Sequence, residues 1–559
     1  MTSRDAAPDH EMVRSPGELR LAGTAALLVP VVLLLLHATL AWLGREPGVM
    51  TGHDDARYIG AAHSLLSGSY RDTMWPGSPW HHQYPPGYPA LLALAMLVGG
   101  DRYDVLVIPG LICSVAALAF IYDALRRVWP GWVAVASLAI LAVNPWLLSF
   151  AGMVASEASL TLCIAVAVWG SVALPAGRRQ EAVMLAAVTA APLMRAVGVV
   201  LPAALVLYWL TERRWRAALL AAASLLFVAA PTVWWLLSDP DGARSGTYAT
   251  DLAATLHAHQ SRWLRVLRHA ARGVQFYSVQ ALPWLVRLPS VPGTPIDNAV
   301  WLVLLVAGLA AGAVDAVRRW RVVPIVMLAF VSFLVLWAWH IERFLVPLLP
   351  LIVPLWLAGL ARVGRVMGAR AATASVLLVA GIVVLTNTRA EAQRLSEMSA
   401  CVRGTEFPDP RCTTAEQRSF FTVLREAQRL LPDSTRILAA KSVTVSHYTH
   451  RLTVPLDRYV GLADSALLDT VRAKRADALL LSRLIWTDSL YLVPVLERHC
   501  ASLSLVTQSA PHTYLFRIDP SGHSADSARA CAAVSEWKQH QTFSAPVSSP
   551  SSSSSAGNP

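Results

Sequence analysis

Residues 21–43, "LAGTAALLVPVVLLLLHATLAWL", carry no formal charge at neutral pH. Wound as an α-helix they reach roughly 34 Å, enough to cross a hydrocarbon core of about 30 Å. The run is too long for a signal-peptide core and no small-residue cleavage site follows it, so it reads as an uncleaved first membrane span. Composition agrees. Hydrophobic residues make up 55% and charged residues 15% of the 559, with mean hydropathy +0.46, against roughly 45–50% apolar and about 25% charged in a soluble domain. The net charge of +11 invites a nucleic-acid reading, but the chain has only three lysines, Lys441, Lys474 and Lys538, and its arginines fall in short clusters between apolar runs. Such a pattern is topological.

Further apolar runs lie near 104–125, 131–149, 155–174, 182–195, 197–211, 216–237, 297–314, 322–339, 343–361 and 371–387, which with the first makes about eleven expected transmembrane helices. The segment "PPGYPALLALAMLVGG", 85–100, is left out because it is short and opens on Pro-Pro-Gly, which suits a re-entrant or interfacial helix. Charge tests the omission. With the N-terminus inside, "RRVWP", "PAGRRQE", "TERRWR", "DAVRRWR" and "RVGRVMGAR" all become cytoplasmic and carry thirteen Arg, whereas the short outer connections around Glu157, Arg195 and Arg343 carry two. If 85–100 spanned, every one of those loops would change sides.

The same parity puts Asp54, Asp55, the loop 238–296 and everything after about 388 on the outer face. The expected divisions are a cytoplasmic tail 1–20, a membrane domain 21–388, an outer soluble domain 389–540 and a disordered Ser-rich tail 541–559. Cys113 and Cys163 lie in spans; Cys401, Cys412, Cys500 and Cys531 lie in the outer domain. Cys401–Cys412 and Cys500–Cys531 are the expected disulfides, among three possible connectivities. The runs "RILAA", "VTVSHYT", "RLTVPL", "ALLLS" and "TYLFRI" read as β, and 414–431, 463–475 and 490–499 as helical, so a small α/β domain is expected. No nucleophile, phosphate loop or metal spacing marks it, which suits an accessory or docking role.

In "TGHDDARYIGAAHSLLSG", 51–68, a helix starts at Asp54, with Tyr58, Ala62, Leu65 and Leu66 on one stripe and Gly68 stopping it. Carboxylates in a first turn favour the positive end of the helix dipole, so capping is the plain account of both acids. Their surroundings suggest more: an aromatic and His-rich loop, "MWPGSPWHHQYPPGYP", then the short helix. Together with "VASEASL", "LMRAVG" and "ERFLVPLLPLI" in matching order over most of residues 20–390, this resembles the GT-C superfamily of membrane glycosyltransferases, in the group of protein O-mannosyltransferases and aminoarabinose transferases.

The resemblance implies a GT-C type polytopic α-helical membrane protein with juxtamembrane helices in its first outer loop. It implies a hexosyl- or pentosyltransferase of the bacterial inner membrane that moves a sugar from a polyprenyl-phosphate donor to an acceptor hydroxyl, with inversion. The acceptor would be a lipid, glycan or protein. Residue by residue, it maps the catalytic Asp onto Asp54, with Asp55 where many members have Glu, and it matches Glu157 to the acid of the second outer loop. Arg195 and Arg343 match basic residues that face the lipid phosphate. The chemistry suits these residue types. A base must take the acceptor proton, and a carboxylate whose pKa is raised by partial burial would serve; Arg offers a permanent forked donor set where the leaving phosphate gains charge. The plain alternatives for the two Arg are snorkelling and pairing with a neighbour such as Glu342.

Four further substrate-facing positions are His53, Tyr58, His82 and Tyr84. In "SRWLRVLRHAARGVQFY", Arg262, Arg265, Arg268 and Arg272 form a basic helix stripe opposite Trp263, Leu264 and Leu267, which reads first as a plain interfacial helix on the outer surface; the alternative is that it collects anionic lipid headgroups or a donor phosphate, through Arg262 and Arg265. No cofactor is expected. Oligosaccharyltransferases of the superfamily use a divalent ion with Asp-x-Asp, whereas the acids here are adjacent, and no zinc spacing accompanies His53, His63, His81 and His82. Two other classes stay open. A secondary transporter would more often show internal repeats, and an O-antigen ligase or polymerase would place its signature in a late outer loop.

Overall fold

The computed structural model describes residues 25–50, 54–81, 83–238, 262–286, 295–337, 339–456, 471–484, 488, 492–519 and 521–539. Its helices in the first two-thirds of the chain follow the apolar runs. They are α1 Ala25–Leu43, α2 Asp55–Leu66, α3 Gly87–Gly99, α4 Tyr103–Val128, α5 Gly131–Ala142, α6 Pro145–Ala151, α7 Glu157–Ala173, α8 Arg178–Met194, α9 Val200–Thr211 and α10 Trp215–Ser238. After them come α11 Arg262–Gln275, α12 Leu282–Val286, α13 Pro295–Arg319, α14 Val322–Leu336, α15 Leu349–Gly364 and α16 Ala369–Ser399.

Four of the described helices are long and apolar enough to cross a membrane, or five if the bent pair α5 and α6 is one span. Several shorter apolar helices of 10–17 residues pack among them. The 131–149 run, expected as one helix, is bent by 62°. Pro145 brings no N–H to continue the ladder, and Asn144 restarts the helix by accepting from Trp146 N and Leu147 N at 3.1 and 3.2 Å. α3 has 13 residues, a rise of about 20 Å, short of the hydrocarbon thickness.

Small residues set a close crossing of two helices. Gly308 and Gly312 of α13 face Gly359 of α15, and a Cβ on Gly359 would collide with the Gly308 carbonyl oxygen. Apolar side chains gain little from leaving lipid for one another, so such backbone approach and its dispersion contacts hold membrane helices together.

α7 measures the bundle. Glu157 begins it, and 14 residues on, about 21 Å away, Ser171 Oγ accepts from Trp320 Nε1 at 3.0 Å. At that far end the Arg-rich connections are tied to one another: Asp315 accepts from Trp129 Nε1 at 2.8 Å and from Arg362 at 3.2 Å, and Arg321 pairs with Glu212 at 2.7 Å. Asp54, Glu157, Arg195 and Arg343 lie at the opposite end.

The long α16 leads into the C-terminal part, pinned at its start by a Cys401–Cys412 disulfide. There α17 Ala415–Leu430, β1 Ile437–Ala439, α18 Ser442–Thr449, β2 Thr453–Pro455, β3 Ala478–Leu481, α19 Val493–His499, β4 Leu503–Ser509, β5 Thr513–Ile518 and α20 Ser527–Gln539 follow. The strands form one sheet in the order β2-β1-β3-β5-β4, parallel from β2 to β3 and antiparallel beyond. Cys500 pairs with Cys531. Strand alternation gives the sheet two apolar faces. Leu438, Leu479, Leu481 and Phe516 pack with Val534 and Trp537 of α20. Ile437, Ala439, Leu480 and Leu515 join Phe420 and Leu424 of α17 in a cluster that runs on into Tyr58 and Ile59 of α2 and Tyr88 and Leu92 of α3. The sheet unit is therefore seated on the juxtamembrane helices. "VTVSHYT", expected as a strand, is the helix α18: Thr444, Val445, Ser446, Tyr448 and Thr449 are all buried, and tertiary packing overrides the β-propensity of its branched residues.

Candidate functional site

Four chain breaks at one end of the bundle carry the candidate residues. Asp54 stands at the N-cap of α2, with backbone angles φ −96° and ψ 11°, and its side chain makes no capping hydrogen bond. Its carboxylate is left for other partners. Glu157 opens α7 and is 2% exposed. Arg195 lies between α8 and the 3-10 turn Ala196–Val199; a Cβ on Gly198 would collide with the Ala191 carbonyl, so glycine there lets the turn fold back on α8. Arg343 lies in the 3-10 segment Glu342–Leu348 that precedes α15.

These four side chains alternate in charge. Arg343 Nη2 donates to Asp54 Oδ2 at 2.8 Å, and Arg343 Nε lies 4.0 Å from Glu157 Oε1. Arg195 Nη1 sits 3.0 Å from the same Glu157 oxygen and donates to Ser156 Oγ at 2.9 Å. The Phe344 ring lies between the cations, with guanidinium carbons 5.6 Å (Arg195) and 5.7 Å (Arg343) from its centroid. Asp54 and Arg343 keep 29% and 24% of their side-chain surface exposed, whereas the Glu157 and Arg195 side chains keep 2% and 10%. The solvent-facing half of the chain is thus the Asp54–Arg343 pair.

The tyrosines expected to face substrate do enter this cluster. Tyr58 Oη and Ser156 Oγ are 2.7 Å apart, Tyr58 packs on Tyr84 and Tyr88 at 4.7 and 5.0 Å, and the Tyr84 hydroxyl donates to Asp54. Arg343 takes Asp54 and Glu157 as partners rather than the neighbouring Glu342 suggested by sequence. His53 and His82 lie outside the described residues, as do the side chains of Arg262 and Arg265, although both arginines fall on α11. Of the other loop histidines, His81 Nδ1 sits 2.6 Å from Asp72 and His63 Nε2 sits 2.9 Å from Asp101.

Two expectations meet a structural constraint. Asp55, matched to a second catalytic acid, has no exposed surface: Oδ2 accepts from Met50 N and Oδ1 from Ala56 N, each at 2.9 Å, so its carboxylate holds the entry to α2. The second concerns the Asp54 carboxyl, expected to titrate high. Burial pushes it up, but the Arg343 guanidinium, the Tyr84 hydrogen bond and the charge of Lys441 together hold it well below the usual carboxylate range. Partial burial was foreseen from sequence; the cation pressed against it, 289 residues away, was not. Lys441 was missed altogether. The signal available was its rarity, as one of three lysines in a chain of 559.

Among the described residues, no group of three or more His, Cys, Asp or Glu is arranged to hold a metal.

The chain is similar to known proteins in sequence over part of its length and in fold over most of it. Residues 83–235 match the family described as dolichyl-phosphate-mannose-protein mannosyltransferase. The whole fold superposes on ArnT from Cupriavidus metallidurans with TM-score 0.55 and 15% identity, covering 89% of this chain and 99% of that one. The fold is the one ArnT has. ArnT from the same organism bound to undecaprenyl phosphate matches with TM-score 0.53 and 14% identity, over 90% of this chain and 100% of that one. The archaeal oligosaccharyltransferase AglB from Archaeoglobus fulgidus, in complex with an inhibitory peptide and a dolichol-phosphate, matches with TM-score 0.56 and 13% identity, over 92% of this chain and 77% of that one. No curated protein sequence matches the chain. The chain is thus similar in sequence to a mannosyltransferase family over residues 83–235 and similar in fold to ArnT and AglB along about nine-tenths of its length.

Proposed function

We propose that this protein is a membrane glycosyltransferase that moves a sugar from a polyprenyl-phosphate donor to an acceptor hydroxyl, with Asp54 as general base and Arg343 and Arg195 as the phosphate-facing cations. The observation that carries the reading is the Asp54–Arg343–Glu157–Arg195 chain, with its exposed half at the mouth of the bundle. In the transfer step the acceptor oxygen bonds to the anomeric carbon while its proton passes to Asp54. The bond from that carbon to the phosphate oxygen breaks, and its electron pair leaves with the polyprenyl phosphate. A single displacement of this kind inverts the anomeric centre.

The lowered pKa of Asp54 fits this reaction once the donor is considered. A phosphate competes with Asp54 for Arg343, and the contact it removes is the strongest of those that lower the carboxyl. Burial then dominates and the carboxylate becomes a stronger base when the donor is in place. We propose transfer without a divalent metal: Arg343 lies between Asp54 and Glu157 and already neutralises the carboxylates that such an ion would need.

The proposed setting is a bacterial inner membrane with the site on the extracytoplasmic face, as the Arg-rich connections at the far end of α7 support. Eleven spans follow if the shorter apolar helices cross as well, and the C-terminal sheet unit is then an extracytoplasmic domain of α/β type. The test is to incubate the purified protein with a panel of undecaprenyl-phosphate-linked sugars and with lipid, glycan and peptide acceptors. Transfer by the wild type and its loss in Asp54→Asn are expected; equal transfer by both proteins would refute Asp54 as base.

A further inference from the structure

We propose that Lys441, on the C-terminal sheet unit, belongs to the transfer site and supplies the cation that balances the donor phosphate. The inference rests on the glycosyltransferase reading above. Lys441 is the N-cap residue of α18, and α18 is held against the first loop at several points. Tyr448 Oη donates to Val49 O at 2.7 Å, and from the strand after it Thr453 N donates to Met74 O at 2.9 Å. Val443, two residues past Lys441, lines a cavity with Arg57, Gly60 and Ala61 of α2. The N-terminal end of α18 thus meets the first turns of α2, where Asp54 begins the helix, and the Lys441 charge is among those that act on Asp54.

Charge counting shows what this cation would do. Asp54, Glu157, Arg195 and Arg343 alone are neutral, and a sugar phosphodiester would leave the site one charge negative. Nearby Asp55 and Arg57 cancel and are engaged elsewhere, Asp55 on Met50 N and Ala56 N and Arg57 over Trp75, 4.9 Å from the ring centroid. With Lys441 the donor-bound site is neutral. It stays neutral through the reaction, because the phosphate gains its second negative charge as Asp54 takes up the acceptor proton. A half-buried site favours this balance, since an uncompensated charge there is poorly solvated.

The experiment measures binding of undecaprenyl phosphate and of undecaprenol, its uncharged counterpart, to the full-length protein in phosphatidylcholine nanodiscs. Lys441→Gln is expected to weaken undecaprenyl phosphate about tenfold, the scale of one charge-assisted contact, with undecaprenol unchanged and Lys441→Arg close to wild type. Unchanged phosphate affinity in Lys441→Gln would overturn the inference. Equal loss of both ligands would overturn it too, because a lysine needed only to dock the domain does not distinguish them, and so would an Arg variant as weak as the Gln variant. A wild type with no preference for undecaprenyl phosphate over undecaprenol would instead sink the glycosyltransferase reading itself.

Discussion

Replacing Asp54 with Asn should move two properties in opposite directions. At 2.8 Å and an effective dielectric constant of about 20, the Asp54 and Arg343 charges attract by roughly 6 kcal/mol before desolvation. Both side chains retain about a quarter of their surface in water, so the net worth of the contact is smaller, about 1.5–3 kcal/mol for a charge-assisted hydrogen bond. A donor phosphate must compete against that contact. Asn keeps the shape and one acceptor but gives up the charge, so Arg343 becomes more available. Undecaprenyl phosphate should bind Asp54→Asn more tightly, by up to about tenfold to a hundredfold, while transfer falls by roughly 10²–10⁴ through loss of the base. Binding in nanodiscs and single-turnover transfer of a radiolabelled sugar measure the two effects separately. Weaker phosphate binding by the variant would refute the competition for Arg343, whatever its transfer rate.

Three further outcomes follow from the same structure. Asp55→Ala leaves the Met50 and Ala56 amides without their acceptor and should cost about 1–3 kcal/mol in thermal unfolding, whereas Asp55→Asn should keep most of the transfer rate; loss of transfer with an unchanged melting point would make Asp55 catalytic after all. Gly359→Ala drives a Cβ into the Gly308 carbonyl oxygen and should destabilise the bundle by about 1–3 kcal/mol, while Gly381→Ala, with nothing within 4 Å of its added Cβ, should be neutral in the same detergent melt. Burial lowers the His447 imidazole from 6.5 to about 4, against the pull of Asp101. The unfolded chain therefore binds the extra proton in this window, so this contribution to domain stability is whole above pH 6.5 and is lost as pH falls toward 4. The His63–Asp101 contact, which raises the His63 pKa, acts in the opposite sense. His447→Gln should reduce the drop in melting temperature between pH 7 and pH 5, and an unaltered drop would place the acid sensitivity elsewhere.

The membrane helices were legible because hydropathy is a local property and each apolar run carries its own evidence. The bend at Asn144–Pro145 was missed, although the proline marks it, because a bend inside an apolar run has no hydropathy signature. In the C-terminal part the local signal failed where packing decides. "VTVSHYT" has branched residues suited to a strand, yet it is helical because its burial against α17 and the sheet outweighs propensities worth tenths of a kilocalorie per residue. The strand β4, "LSLVTQS", was missed for the converse reason: only Leu503 is buried, and a polar, half-exposed edge strand lacks the apolar run that marks its neighbours. For the candidate site, the resemblance singled out Asp54, Glu157, Arg195 and Arg343, but which acid meets which cation depends on approach between segments up to 289 residues apart.

That distance bears on why the sheet unit sits where it does. A carboxylate at a helix start ordinarily settles into the cap, as Asp55 does with the amides of Met50 and Ala56. The side chain of Asp54, one residue earlier, makes no capping bond, and each of its partners comes from elsewhere in the chain: Tyr84 from the first loop, Arg343 from the 3-10 segment before α15 and the Lys441 charge from the start of α18. A group supported from three directions changes its ionisation when any one of them is displaced. Seating the C-terminal unit on α2 and α3 through one continuous apolar cluster fixes the third direction. Loosening that cluster, for example by Phe421→Ala beneath Tyr448, whose rings meet at 5.3 Å, should therefore disturb the chemistry at Asp54 although the substituted residue belongs to α17.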